Sequence, residues 1–256
     1  MDPLAPLLDL AGVAPALDAA RGRVDGALRH RALRRHGGRV AAEASLRAAV
    51  ASAALEGHRY DLEDVRAGTV TDPVLQGALR VAEGLGGLVD LWPRAPRQVL
   101  ARLHVLAARS VVPADELGRL TSAADRIDAQ GRLTSAADRI DALATLVAGN
   151  DATPPVLLAA IVHAELLTLR PFAGPAGVVA RGAARLTLIG RGLDPRGLVA
   201  VEVGHLSREP EYVGASGAYG TGTVDGVRSW LRHYAAAVEA GADEIVSIGD
   251  EVMAAA

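Results

Sequence analysis

The chain has no cysteine, which excludes disulfides, thiolate metal sites and a cysteine nucleophile. It also has no lysine, so all 27 basic residues are arginine, a bias of codon usage rather than a phosphate-reading device. Aromatic residues are 3% of the chain, and the apolar half is almost entirely Ala, Leu and Val. That balance favours helix over sheet, because Ala and Leu are strong helix formers and aromatics favour strands. No apolar run reaches the ~18 residues of a membrane span, the longest being broken by His163 and Glu165. Acidic and basic residues nearly cancel, at a net charge of −3, which gives no general attraction to nucleic acid. The seven histidines include no pair four residues apart beside a carboxylate, so no metal site is expected. No Gly-x-Ser-x-Gly elbow is present. No basic residue precedes the first apolar stretch, so no signal peptide is expected and the default location is cytoplasmic.

What is present suits one large domain, or one domain with an appended segment, since 256 residues with half of them apolar can fill a core. Residues 1–26 read as short helices or a partly ordered lead-in. A basic cluster follows, from Arg29 to Arg39, and reads as a solvated helix face ended by Gly37-Gly38. Helices are predicted over Arg39–Leu55, Val74–Leu91 and Gln98–Ala108, with polar, turn-like sequence over 60–72. His104, inside the third of these, reads as a packed residue. Gly118 to Ala129 recurs without change at Gly131 to Ala142. A period of 13 residues advances a helix by about 220°, so a continuous helix would turn the copies apart. A local duplication absorbed as a longer loop or helix extension fits better than a repeat array.

The second half turns on His163 to Arg181. Asn150-Asp151-Ala152-Thr153-Pro154 predicts a helix start, with Thr153 as N-cap. The helix it opens is apolar on nearly every side and therefore a core element. It ends at Arg170, because a residue before proline is pushed out of helical geometry. A loop with two glycines then feeds a helix over Gly177–Gly190, whose N-terminus is a natural anion site. Residues 195–206 read as helix, Glu209–Gly226 as loop, and Val227–Ala240 as a helix carrying Trp230 and Tyr234. Gly217-Ala-Tyr-Gly-Thr-Gly222 has a weak look of a phosphate loop, with no strand before it and no lysine after it. Far upstream, Glu56 sits in the last turn of its helix, where the dipole disfavours an acid, and so asks for a cation.

These residues carry a resemblance. The order helix, His163, Arg170-Pro171-Phe172, small-residue loop, Gly177, Arg181 resembles the core of the Fic (Fido) family, all-helical enzymes that usually transfer AMP from ATP to a protein hydroxyl. The family's loop reads His-Pro-Phe, any residue, an acid, Gly-Asn-Gly-Arg, two residues, Arg, and Pro171, Phe172, Gly177 and Arg181 match it without gaps. Ser52-Ala-Ala-Leu-Glu56-Gly57 is similar to the family's inhibitory helix, which reads Ser/Thr, three residues, Glu, Gly/Asn. The resemblance spans about residues 40–240. It implies an all-α, Fic-like bundle around a central buried helix, with an inhibitory-type helix in an N-terminal segment (1–60) and a helical core (61–256). It also implies that Glu56 pairs with Arg181 and blocks the ATP γ-phosphate, and that ATP with Mg²⁺ is the cofactor to consider.

The departures bear on chemistry. Arg170 stands where the family has its catalytic histidine, and a guanidinium stays protonated and cannot act as a base. Gly174 replaces the metal-binding acid, Pro175-Ala176 the Gly-Asn pair, and Val178 the first arginine. The expectation is a catalytically degenerate Fic-fold protein with no catalytic residue and no metal ligand. It would act as a binding or regulatory module for a nucleotide, another phosphate-containing ligand or a protein partner, with no role for nucleic acid or membrane. Two alternatives stay open: an active transferase with altered chemistry, and an unrelated helical bundle with a chance Arg-Pro-Phe. Oligomeric state is not legible in the sequence.

Overall fold

The structure, a computed structural model, describes residues 2–121, 126–127, 133–149 and 152–256. Its helices, in chain order, are α1 (Val13–Ala27), α2 (Ala32–Arg35), α3 (Gly37–Ala54), α4 (Leu62–Arg66), α5 (Pro73–Gly84), α6 (Pro96–Ala108), α7 (Ala136–Ala148), α8 (Pro155–Leu169), α9 (Ala176–Gly190), α10 (Val201–Ser207), α11 (Glu209–Gly220) and α12 (Val224–Ala254). Short 3-10 turns occupy Ala5–Asp9 and Leu85–Leu88. Among the described residues the sole strand pairing is antiparallel, Arg126–Ile127 with Leu133–Thr134. The fold is all-α. No helix of the described residues is long and apolar enough to cross a membrane.

α8 is the central element. Its residues are apolar around the whole circumference and eleven of them are buried, His163 included. Such a helix gains stability only by being enclosed. α9 and α12 pack along it, joined by α11, α7 and α1. α9 is in turn enclosed by α3, α5 and α6. Trp230 of α12 is fully buried and donates its indole N–H to Ala160 O of α8 at 2.8 Å. One apolar core runs from Leu4 to Val252.

The low aromatic content has a packing consequence. With alanine and glycine at many contacts, helix backbones approach each other closely. A Cβ on Gly204 of α10 would overlap Ala237 O and lie 2.8 Å from its carbonyl carbon in α12. A Cβ on Gly77 of α5 would overlap Ala107 O of α6. Arg47 of α3 then clamps the outer edge of α12, reaching Glu244 at 2.7 Å and Glu251, while its Nε donates to Glu43 at 2.7 Å.

Several sequence expectations need correction. The glycine pair Gly37-Gly38 opens α3; it does not end a basic helix, and the break falls at His36. Residues 60–72 hold a short helix, α4, capped by the Asp61 carboxylate, which accepts from Glu63 N–H at 2.8 Å. Pro154, not Thr153, caps α8, and the Thr153 hydroxyl instead donates to Asp2 at 2.7 Å; Asn150 and Asp151 lie outside the described residues. Residues 195–200 are not helical, because the Asp194 carboxylate accepts the N–H groups of Leu198 (2.9 Å) and Val199 (2.8 Å) and diverts them from a helical ladder. The stretch 209–220 is a helix, α11, with Pro210 in its first turn, so Gly217–Gly222 is no phosphate loop. Of the duplicated segment, residues 118–121 and 126–127 of the first copy are described and residues 136–142 of the second lie in α7; residues 122–125, 128–129 and 131–132 lie outside the described residues.

The close approach of α10 to α12 is testable. Gly204→Ala forces a methyl into backbone, and overpacking of this kind costs about 1–3 kcal/mol. We expect a clearly lowered denaturation midpoint in urea, whereas Gly214→Ala on α11, with open space around its Cα, leaves the midpoint within error.

Candidate functional site

α8 ends at Arg170, which has φ 47° and is the sole non-glycine residue at positive φ among the described residues. A left-handed non-glycine residue costs of order 1 kcal/mol and persists only where its surroundings over-determine it. Here they do. Arg170 N–H closes the helix on Leu166 O at 2.9 Å. Pro171 O accepts from Thr121 N–H at 2.9 Å. Phe172 is buried and stacks on His104, with ring centroids 4.8 Å apart. His104 Nε2–H donates to Ala173 O at 2.9 Å, while Nδ1 accepts from Gly118 N–H at 3.0 Å, which fixes its tautomer. Burial pushes the His104 pKa down, opposed by the Ala173 carbonyl. His104 is thus packed, as the sequence suggests, and it pins the loop from behind.

The loop carries the replaced positions outward and inward. Arg170 is exposed, and its guanidinium has no ion pair or hydrogen bond among the described residues. Gly174 is exposed at φ 75°, and a Cβ there would lie 2.9 Å from Val112 Cγ1. Val178 is buried at 1% exposure. Pro175 caps α9, and Val178 N–H turns back to Pro175 O at 3.1 Å.

Arg181, one turn into α9, is 2% exposed. A buried guanidinium needs a counter-charge and acceptors for its N–H groups. Nη2 donates to Glu56 Oε1 at 2.8 Å and to Ser52 O at 2.8 Å, Nε donates to Ser52 Oγ at 2.9 Å, and Nη1 donates to Tyr212 Oη at 3.2 Å. Burial works against the Arg181 charge, but Tyr212 and Glu56 outweigh it and raise the pKa. The structure therefore brings together Ser52, Glu56 and Arg181, and Gly57 turns the chain out of this contact at φ 92°. Gly177 is needed for the approach: a Cβ there would overlap Glu56 Oε1 and lie 2.7 Å from Arg181 Nη1. The Glu56 carboxylate thus lies over the first turn of α9, on the anion-binding end of that helix.

Behind Arg181 lies a polar cluster that residue spacing does not reveal. Tyr212 Oη accepts from Arg181 and also forms a hydrogen bond with His163 Nε2 at 3.1 Å. His163 of α8 sits 5.0 Å from His205 of α10 between ring centroids, and His205 Nδ1 is 3.0 Å from His233 Nε2 of α12. Burial, then Arg181 and His233, push the His163 pKa well below 6.5. Burial, then His163 and His233, do the same for His205. His233 falls to about 4, from burial and Arg208 against Glu211. These histidines come from three helices and share no sequence motif. Among the described residues no group of three or more His, Cys, Asp or Glu could hold a metal ion.

Two predictions follow from this geometry. Gly177→Ala and Glu56→Gly should be strongly coupled in stability. Each alone costs about 1–3 kcal/mol, the first by displacing the carboxylate and the second by leaving the Arg181 charge without its partner. In the Glu56→Gly background the alanine costs much less, and a double-mutant cycle on thermal unfolding reads the coupling; additive losses would contradict it. The second concerns acid. All three histidines are depressed in the folded state, so the unfolded chain takes up protons first as pH falls below about 6.5. The histidine contribution is complete above that pH and is lost toward pH 4, while the raised carboxyls of Asp194 and Glu202 act in the opposite sense. Replacing His205 and His233 by asparagine should flatten the fall of urea midpoint between pH 7.5 and 4.5, and an unchanged profile would be inconsistent with this.

No protein-family model matches the sequence, and neither does any curated protein. Solved structures do match. The chain is similar to a Fic family protein from Desulfovibrio desulfuricans G20, with a TM-score of 0.73 and 24% identity over 93% of this chain and 75% of that one. It is also similar to a fragment of Fic-1 from C. elegans, with a TM-score of 0.70 and 18% identity over 98% of this chain and 76% of that one. A variant of the same fragment gives 0.71 and 19%, over 96% and 74% of the two chains. The helical order, the loop between α8 and α9, and these superpositions agree: the chain has the Fic fold.

Proposed function

We propose that this is a catalytically degenerate Fic-fold protein, which lacks AMP transfer and acts as a binding or regulatory module. The observation that carries the reading is Arg170, an exposed and permanently charged guanidinium at the end of α8 where the family resemblance puts a proton-accepting histidine. Gly174 adds to it. The position that the resemblance gives to a metal-binding acid is a glycine at positive φ, and a side chain there would meet Val112. Mg²⁺ would lose the ligand through which it neutralises a transferring phosphate. Arg181 and the first turn of α9 remain as groups that attract phosphate, and Glu56 covers them. A nucleotide or another phosphate-containing ligand would have to displace that carboxylate.

A transferase with altered chemistry is the second reading, and the free Arg170 guanidinium favours it as an extra phosphate-binding group. The two diverge in one assay. Purified protein incubated with labelled ATP and Mg²⁺ should mark neither itself nor proteins of a lysate, with Glu56 present or replaced by glycine. Arg170→His alone should not restore labelling, because Gly174 and Val178 remain. Covalent transfer by the unaltered chain would overturn the proposal.

A further inference from the structure

About one helical turn beyond Arg181, the same face of the bundle holds a second basic site that the loop does not use. Ligand pockets run from about 300 to 1,000 Å³, and the cavity between α3, α5 and α9 measures about 370 Å³, at the small end of that range. Its walls include Leu85, Val89 and Ile189, with Ser45 of α3 as a polar member, and Arg185 and Arg196 as its charged ones. Among the described residues lining it, two are cations and none is an acid.

Arg185 is 5% exposed, and its Nε has no hydrogen-bond partner. Nη2 donates to Gly197 O at 2.8 Å, which fixes the side chain against the 195–200 segment. Its nearest counter-charge, Glu202, approaches Nη1 only to 3.9 Å, and burial raises the pKa of that carboxyl against the pull of Arg185. Asp194, the other acid nearby, is engaged by the backbone N–H groups of Leu198 and Val199. A buried cation so weakly compensated is costly, because the desolvation penalty stands without a full ion pair. Arg196 is exposed and has no partner among the described residues. One of its nitrogens lies over the start of α3, 3.7 Å from where a Gly37 Cβ would stand, at the positive end of that helix. Arg34, Arg35 and Arg39, from the basic cluster of the sequence, are exposed around the same helix start and likewise unpaired among the described residues. Charges of one sign around a low-dielectric recess raise the local concentration of counter-ions.

We propose that this cavity binds a small organic anion, a carboxylate or phosphate monoester with a compact apolar body, between the Arg185 and Arg196 guanidiniums. The anionic head meets the two arginines, and the apolar part rests on Leu85, Val89 and Ile189. Neither group belongs to the loop between α8 and α9, so the site stands whether or not the loop transfers anything.

The test uses benzoate and phenyl phosphate as probes, with benzyl alcohol as the uncharged control, followed by chemical-shift perturbation on the full chain. Both anions, or one of them, should bind with shifts around Ser45, Val89 and Ile189, and the alcohol should bind at least roughly tenfold more weakly, since it forms no charge-assisted hydrogen bond with a guanidinium. Which head group binds distinguishes a carboxylate from a phosphate ligand. Arg196→Ala, a change at an exposed position, should weaken the anion by roughly tenfold with an unaltered melting temperature, and Ala82→Leu, at a position of α5 that also lines the cavity, should block binding by filling the recess. No shifts from either anion, equal binding of the alcohol, or undiminished binding by both variants would overturn the proposal.

Discussion

One buried charge organises this molecule. Arg181 is almost wholly removed from water, and a guanidinium in that position is tolerable only with a counter-ion and with acceptors for its fork of N–H groups. The chain supplies them from two distant places. The end of α3 gives Ser52 and Glu56, and α11 gives Tyr212. Because the ligands of Arg181 come from both sides of α9, its charge ties α3 and α11 to α9, which lies along the central helix α8. The glycine at 177 is a condition of the same arrangement, since the Glu56 carboxylate needs the space that a side chain would take.

Much of the arrangement was legible in the sequence. Period and caps give α3, α6, α8 and α9 nearly to their observed ends, because those helices have strong apolar patterns and clear stop signals at Gly57, Pro171 and the 190–192 turn. The grouping of Ser52, Glu56 and Arg181 was legible for another reason: it is what the resemblance of two short motifs to the Fic family's loop and inhibitory helix implies. The sequence places Glu56 in a last helical turn, whereas α3 ends at Ala54 and Glu56 lies in the turn that follows it.

What stayed illegible did so for physical reasons. α11 is rich in Gly, Pro and Tyr, a composition that reads as loop, yet burial of Tyr212 and Ala215 against the core overrides local propensity. The histidine cluster is a product of tertiary packing alone. His163, His205 and His233 lie on α8, α10 and α12, and no spacing along the chain relates them. The 195–200 segment fails as a helix because one buried carboxylate, Asp194, competes for the backbone N–H groups, and a single acid in a sequence gives no warning of that.

The His104 clamp has an evolutionary consequence. The loop between α8 and α9 is shaped from its rear, by a ring stacked on Phe172 and by hydrogen bonds to backbone atoms at Ala173 and Gly118. Backbone contacts do not depend on which side chains the loop displays. The exposed position 170 can therefore change without disturbing that support, whereas the positive-φ Gly174 and the buried Val178 remain tied to the packing around them. A loop held from behind in this way keeps its shape whatever group it presents at its exposed corner.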